Sequence, residues 1–565
     1  MAETFPIAFL FFAGAAGLLA LPKGHARAAL LLAVPVVACL FVWSLPEGNL
    51  WTVRFFNLDL EFMRVDRLSR IFALIFTIAA FLGNLYAWHV RDTVQQLAAL
   101  LYAGSAIGAV FAGDLITLFF YWEGTAITSV FLIWARRTEG AYHTGVRYLI
   151  VQVGSGVLLL AGAALFYRES GSIAFDKMTL GSIGTWLIFL AFGIKCAFPL
   201  LHNWLQDAYP AATVTGTVVL SAFTTKLAVY ALARGFPGTE MLIYIGAVMT
   251  LFPIFFAVIE NDLRRVLAYS LNNQLGFMVV GIGIGTELSL NGTAAHAFAH
   301  ILYKALLFMS VGAVLFRTGT AKGSELGGLY KTMPLTMIFC VIGAASISAF
   351  PLFSGFISKS LILSAASHDG YYIVWAILLF ASAGVFHHSG IKIPYFAFFA
   401  HDSGLRPKEA PLHMLLAMGL TAFLCVAIGV FPGPLYALLP FDVDYVPYTT
   451  THVVTQLQLL FFSALAFTVL MRTGIYPPEL KSVNLDTDWT YRRLMPVLIG
   501  SVSGVLSKVW AAQSNFTQTR IRAVIARLYH SHGPEGRMAQ SWPTGSMVIW
   551  IAVLLGFTLI VNFLS

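Results

Sequence analysis

The sequence predicts an all-α membrane protein of about 14–16 transmembrane helices, in which two stretches of opposite topology carry broken helices. Three observations predict it. Of the 565 residues, 58% are hydrophobic. Only 11% are charged, against about 25% in a soluble domain. Apolar stretches long enough to cross a bilayer recur from end to end. No water-soluble fold of this size hides so much apolar surface, so lipid is the expected solvent. Helices follow, because backbone groups in lipid must pair within their own segment.

Sixteen spans are expected, near 4–21, 27–44, 68–90, 96–112, 114–134, 143–168, 183–204, 213–234, 240–259, 264–285, 292–318, 333–366, 372–400, 411–433, 452–472 and 545–564. Loops after odd-numbered spans carry Lys23 and Arg27, Arg136 and Arg137, Arg264 and Arg265, Lys322 and Lys331, Arg406 and Lys408, whereas those after even-numbered spans are poorer in Lys and Arg, apart from the segment before Arg70. The positive-inside rule then puts these loops in the cytoplasm and the N-terminus outside. The +8 formal charge reads as this topology signal and not as a nucleic-acid footprint. Glu3 stands where a cleavable signal would want Lys or Arg, so none is expected. Cys39, Cys196, Cys340 and Cys425 lie in apolar runs without a C-x-x-C pair and read as small core residues.

A weak internal repeat supports the opposed stretches. Ala197-Phe198-Pro199-Leu200-Leu201 resembles Ala349-Phe350-Pro351-Leu352-Phe353, and Gly162-Ala163-Ala164-Leu165-Phe166 resembles Gly312-Ala313-Val314-Leu315-Phe316. Each pair sits five spans apart, and an odd offset turns one unit over relative to the other. That is the inverted-repeat plan of transporters, with prolines breaking helices near the midplane. The tail differs. After Asn484-Leu485-Asp486-Thr487-Asp488-Trp489, the stretch near 494–530 mixes apolar residues with Lys508, Arg520, Arg522 and Arg527. It reads as too polar to span, and as either an interfacial helix or a helix packed on loops.

The informative residues are those that break the apolar pattern. A charge at the bilayer centre costs about 2.5–3.5 kcal/mol on insertion scales, so each one is a functional candidate. Glu123 lies in span five and Lys195 in span seven, four residues before Pro199. A carboxylate and an ammonium on nearby helices lower each other's cost of burial, and such a lysine can load and release a proton; the bland alternative is an ion pair that ties two helices. Lys226 lies in span eight. His296, His300 and Lys304 follow at four-residue spacing in span eleven, on one slowly turning face. Histidine both gives and takes protons near neutral pH, so the row reads as a relay; no carboxylate or cysteine completes a metal set beside it. Lys359, just after Pro351, reads as a proton-releasing group or as a snorkelling lysine near a helix end. His202 and Asp207 beside the first break, and His387, His388 and Lys392 in span thirteen, are weaker candidates.

Gly281-Ile282-Gly283-Ile284-Gly285 ends a span with no strand before it and is a poor nucleotide fingerprint. Neither a P-loop nor a G-x-S-x-G word is present. No domain for NADH, flavin or ATP is evident, so no cofactor is expected, and driving energy must come from ion gradients or partner subunits.

The segment KCAFPLLHNWLQDAYP, from Lys195 to Pro210, resembles the signature of proton-conducting antiporter-like subunits, found in respiratory complex I, membrane-bound hydrogenases and Mrp-type cation/proton antiporters. Asn261 through Ser270, His296 through Gly312 and Ser354 through Lys359 are similar to the same family. The resemblance covers roughly 95–430 and is strongest to the D-type chain of Mrp Na⁺/H⁺ antiporters. It implies two inverted five-helix repeats, spans 4–8 and 9–13. It implies a Glu123–Lys195 pair, a central relay of Lys226, His296, His300 and Lys304, and an exit at Lys359. The division it implies is 1–94 for N-terminal helices, 95–235 and 236–402 for the repeats, 403–475 for further helices and 476–565 for the surface segment and last span. The tail beyond about 475 is longer than in the D-type chain and looks more like the lateral helix of the distal complex I subunit. The implied role is a transporter subunit, not an enzyme, that exchanges protons for Na⁺ or K⁺ in the plasma membrane of a bacterial-type cell, with other membrane subunits and the bilayer as partners. The competing readings are a proton-pumping subunit of an NADH-quinone oxidoreductase-like or hydrogenase complex, and a scaffold whose buried charges only hold helices.

Overall fold

The computed structural model describes residues 5–477, 479, 480, 484 and 486–564. Glu3, Thr4 at the head of the first expected span, and Leu485 of the tail word lie outside them. The chain divides into two units, Met1–Asn484 and Leu485–Ser565.

The first unit opens with α1 (Ile7–Ala20) and α2 (His25–Ser44), then an antiparallel hairpin of β1 (Gly48–Phe55) and β2 (Leu58–Val65). The hairpin corrects the sequence reading, which places only a connection there. Its strands are eight residues each, and Phe56 closes the turn at φ 51°, a conformation that a Phe-Asn pair does not announce. There follow α3 (Arg67–Tyr86), α4 (Thr93–Phe111), α5 (Leu115–Trp134), α6 (Glu139–Ser170), α7 (Ile183–Lys195), α8 (Asn203–Ala211), α9 (Val214–Ala222) and α10 (Thr224–Gly235). Next come α11 (Met241–Ile259), α12 (Leu263–Ile284), α13 (Glu287–Thr318), α14 (Pro334–Ile347), α15 (Ser354–His368) and α16 (Tyr372–Val385). Two π-helical turns, Phe386–Ile391 and Tyr395–Phe399, flank the short α17 (Lys392–Pro394). The unit ends with α18 (Leu412–Val430), the short α19 (Gly433–Tyr436) and α20 (Thr450–Thr473). Among the described residues, thirteen helices are long and apolar enough to cross a membrane, and three shorter apolar helices accompany them.

The repeat is visible in the helix boundaries. α6 runs from Glu139 to Ser170 and α13 from Glu287 to Thr318, each end 148 residues later. Asp114 caps the start of α5 and Asp262, at the same offset, caps α12. Each aspartate also bridges to the strand-like residue after the long helix, Asp114 to Ala174 and Asp262 to Lys322. Five crossings separate the two sets, so the second repeat enters from the opposite face. The apolar words at 162–166 and 312–316 sit 150 apart, two residues out of this register. That match falls out of the register of the long helices, whereas the proline words, 152 apart and so four residues further beyond the long helix in the second repeat, share one backbone turn.

The two proline words fold alike. Ala197 and Leu200 have φ 60° and 70°; Ala349 and Leu352 have φ 58° and 74°. Phe198 N donates to Gly193 O and Ala197 N to Ile194 O. Phe350 N donates to Ala345 O and Ala349 N to Ser346 O, the same pattern. This is a Schellman end, with the left-handed residue at its turn and a proline two residues later that cannot continue the helix. Helices α7 and α14 therefore stop inside the apolar layer, and α8 and α15 resume the crossing. Span eight is also divided, at Phe223 between α9 and α10, a break that no glycine or proline in the sequence signals.

Buried α13 packs against α3, α9, α12, α14, α15 and α18, which places it at the centre of the first unit. Loop charges sort by face. Arg137 pairs with Asp92, and Lys331 and Arg406 with Asp402. On the other side, Arg64 pairs with Asp176, and Arg67 with Asp442.

The second unit holds α21 (Met495–His532) and α22 (Thr544–Leu564). The expectation that residues 494–530 are too polar to span needs correction. Residues 490–532 contain a stretch long and apolar enough to cross, because Lys508 is the single charged residue from 494 to 519 and Arg520, Arg522 and Arg527 come after it.

Valine in the left-handed conformation is a steric outlier, and that conformation already costs an L-residue about 1–2 kcal/mol. Ala197→Val and Ala349→Val are therefore expected to lower the thermal midpoint of the detergent-purified chain, while Ala197→Gly leaves it near or above wild type.

Candidate functional site

Lys195 closes the last turn of α7 and is fully buried. Its Nζ donates to Trp122 O at 2.6 Å and to Thr125 Oγ1 at 3.0 Å. It also sits 4.4 Å above the Trp122 ring, a favourable cation–π position. The expected pairing with Glu123 takes a looser form. The two groups lie within electrostatic reach, yet Glu123 Oε1 is buried without a hydrogen-bond partner. The ammonium has found main-chain and hydroxyl oxygens on α5 instead. Glu123 folds against α6, where a Cβ at Gly156 would collide with its Oε1. Glycine at 156 leaves the space the carboxylate occupies.

Lys226 is fully buried in the first turn of α10. Its Nζ donates across the Phe223 break to Ser221 O, 2.8 Å, and to Thr225 Oγ1, 3.2 Å. Lys226 lies within electrostatic reach of His296 and His300, so the two repeats meet here.

His296, His300 and Lys304 are all fully buried on α13. His296 Nδ1 is 2.9 Å from Ser358 Oγ, and its Nε2 is 3.4 Å from Tyr303 Oη. Tyr303 in turn donates to Gln274 Oε1 at 3.0 Å. His300 has both ring nitrogens buried without a hydrogen-bond partner. Lys304 Nζ donates to Ser270 Oγ at 2.9 Å and Leu267 O at 3.2 Å.

Lys359 lies on α15, next to the Ser358 that holds His296. Its Nζ donates to Ile347 O, 2.8 Å away, and sits 5.2 Å over the Phe277 ring. Ile347 precedes Ala349 by two residues as Lys195 precedes Ala197. The second lysine thus reaches by a different route the helix end that the first one occupies. Lys359 is only 1% exposed, with its ammonium bonded inside the protein, so it does not snorkel.

The weaker candidates divide. His202 starts α8, with its ring 4.6 Å from that of Phe252. Asp207 is 3.9 Å from Arg147 and 3.6 Å from Arg265. It lines a polar cavity of about 580 Å³ with Arg136, Glu260, Asp262, Arg265 and Lys322. His388 connects to Lys304, because its Nδ1 is 2.9 Å from Ser389 Oγ, which donates at 2.7 Å to the same Ser270. Lys392 pairs with Glu479 at 2.9 Å. His387 stacks on Tyr476 instead, with ring centroids 5.4 Å apart.

Sequence reasoning missed Ser270, Ser358, Ser389, Tyr303, Gln274 and Glu479. Hydroxyls and amides in a span carry no charge penalty, and Glu479 lies in a loop, so none breaks the pattern that singled out the lysines. One further residue had a signal. Gln152 is 148 positions before His300, and both its amide atoms are buried without a partner. The helix register marks it as the counterpart of His300.

A buried ammonium with one acceptor removed leaves a charged donor unsatisfied, at a cost of roughly 1–3 kcal/mol or more. Thr125→Val is therefore expected to lower thermal stability by that amount, and the loss should vanish in the Lys195→Met background.

Residues 112–386 match the family model described as NADH:quinone oxidoreductase/Mrp antiporter, transmembrane. The chain is 32% identical over 427 residues to Na⁺/H⁺ antiporter subunit A1 of Staphylococcus haemolyticus, covering 67% of this chain and 53% of that one. It spans about half the length of the curated relatives it matches. In fold it is similar to a chain of the Mrp complex from Dietzia sp., with a TM-score of 0.77 at 24% identity over 92% of this chain and 62% of that one. It is also similar to a chain of the membrane-bound sulfane sulfur reductase, an archaeal respiratory membrane complex, with a TM-score of 0.71 at 22% identity over 99% of this chain and 100% of that one. The chain is thus a multi-pass membrane protein whose residues 112–386 match the NADH:quinone oxidoreductase/Mrp antiporter transmembrane family.

Proposed function

We propose that this chain is the proton-translocating subunit of a multi-subunit monovalent cation/proton antiporter, exchanging protons for Na⁺ or K⁺. The observation that carries the reading is the row of buried titratable groups across both repeats: Lys195, Lys226, His296, His300, Lys304 and Lys359. His300 stands in this row with no other group of the protein hydrogen-bonded to either ring nitrogen. Glu123 modulates Lys195 from beside α6, and Lys359 is the exit. Asp207, on the polar cavity, and His202 stand at the mouth. The related chain from Staphylococcus haemolyticus is named an Na⁺/H⁺ antiporter subunit, which supports the antiport reading.

The membrane is the plasma membrane of a bacterial-type cell, with the N-terminus outside and the Arg136, Arg265 and Lys322 face inside. The partners are other membrane subunits of the complex. The working division is the one the resemblance implies: helices 1–94, repeats 95–235 and 236–402, then 403–475 and 476–565. One observation favours a second reading, in which partner redox subunits drive the same relay: the chain of the respiratory complex matches over its whole length.

A charge crossing 100 mV gains about 2.3 kcal/mol, enough to refill or empty a lysine held between a carbonyl and a carboxylate. Vesicles carrying the assembled complex with Lys195→Ala are expected to lose ion-coupled proton flux while the complex still assembles. Near-normal flux from a folded variant would leave the scaffold reading ahead. Gly156→Ala is expected to cut flux about tenfold to a hundredfold by displacing Glu123; an unchanged rate would remove Glu123 from the path.

A further inference from the structure

The central lysine has a second connection that the row through His300 and Lys359 does not use. Lys304 Nζ, Ser270 Oγ, Ser389 Oγ and His388 Nδ1 form an unbroken series of contacts of 2.9, 2.7 and 2.9 Å. All four residues are fully buried. The series runs from α13 through α12 to the π-helical turn after α16. His388 Nε2 is buried without a hydrogen-bond partner, so the ring has one nitrogen committed to the series and one turned elsewhere. Four residues on stands Lys392, itself fully buried.

Lys392 is anchored at the end of α11. Its Nζ donates to Val258 O and Glu260 O at 2.6 Å each and to Ala257 O at 3.3 Å. The carbonyl end of a helix favours a cation. Glu479 Oε1 adds an ion pair at 2.9 Å, with its side chain only 6% exposed. Glu260 lies on the cavity shared with Asp207 and Arg265, and its Oε2 is 3.7 Å from Arg265. Contacts thus run unbroken from Lys304 to His388, and Lys392, four residues further on, holds the Glu260 main chain at the edge of the cavity on the Arg136 and Lys322 face.

We propose that protons pass between Lys304 and this cavity along a lateral branch, through Ser270, Ser389 and His388 to the Lys392–Glu479 pair. The branch rests on the proton-conducting reading of Lys304. Lys392 hands one ammonium proton to a Glu479 oxygen and becomes an amine. His388 refills it from Nε2 while taking a proton at Nδ1 from the Ser389 hydroxyl. Ser389 is refilled by Ser270, and Ser270 by Lys304; hydroxyl protons rotate to suit either direction. The balance is one proton moved from Lys304 to Glu479; both serines and Lys392 are restored, and His388 ends as its Nδ1–H tautomer, which a ring flip returns to the Nε2–H form before the next transfer. Lys392 stays charged for all but the moment of transfer, which is compatible with its clamp of carbonyls.

The alternative for Lys392 and Glu479 is a structural tie. Replacing a buried ion pair by apolar residues of similar size is often neutral or stabilising, whereas removing one partner is costly. The complex carrying Lys392→Met with Glu479→Met separates the two roles, and Ser389→Ala tests the branch by removing one hydroxyl. Proton flux in vesicles is read beside the amount of assembled complex, with Lys195→Ala as control. The branch expects normal assembly and a fall in flux of about tenfold or more in both the double variant and Ser389→Ala. If the double variant does not assemble, Ser389→Ala decides alone. Flux lost in the control but near normal in Ser389→Ala would overturn the branch and leave the proposed function standing. Near-normal flux in Lys195→Ala would sink the proposed function, and the branch with it.

Discussion

A buried ammonium keeps its charge only where something replaces water, and in this protein the replacement is main-chain carbonyl oxygen. Lys195 donates to Trp122 O, Lys226 to Ser221 O, Lys304 to Leu267 O, Lys359 to Ile347 O and Lys392 to Val258 O. Buried Arg264 does the same with Tyr209 O, Pro210 O and Ala212 O at the end of α8. In a continuous helix those oxygens would be taken by the backbone four residues on. Several of them are free because a helix stops there, at α8, α9, α11 and α14. The broken helices and the buried cations thus depend on each other. A break inside lipid leaves carbonyls unsatisfied, and a lysine inside lipid lacks solvation; joining them settles both.

This dependence explains the shared shape of the two repeats and their different contents. Both breaks end in the same left-handed turn at Ala197 and Ala349, followed by a proline. In the first repeat the lysine is part of the ending helix and reaches sideways to α5. In the second it comes from the resumed helix and reaches back to Ile347. The cation is held at related places by different chains of atoms. Between them, Tyr303, Gln274 and Ser358 keep His296 oriented, and α13 presents the row along one face.

Neighbouring groups also decide how firmly each cation is held. Lys392 has three carbonyls and a carboxylate around one ammonium, the fullest set of acceptors among these lysines. Lys195 has one carbonyl, one hydroxyl and an aromatic face, with Glu123 nearby but not in close contact.

Much of this was legible without coordinates. A charge in an apolar run is costly enough to stand out, so Glu123, Lys195, Lys226, Lys304, Lys359 and Lys392 announced themselves, as did the histidines at helical spacing. Length and hydropathy located the spans, because a bilayer demands about twenty apolar residues per crossing. The proline words marked both breaks, since proline cannot continue a helix. The partners of the charges were not legible. Serines 270, 358 and 389 cost little to bury when bonded, so they leave no trace in the pattern, and the break at Phe223 has no proline or glycine to mark it. Whether Glu123 pairs with Lys195 directly, and that Lys392 meets Glu479, depends on how helices far apart in the chain are packed. The amino-acid order by itself determined where charge enters the membrane, because that is a local matter of one side chain against its neighbours. Only the tertiary structure decided which oxygen each charge meets, because hydrogen bonds between segments are set by distances that local pattern does not carry.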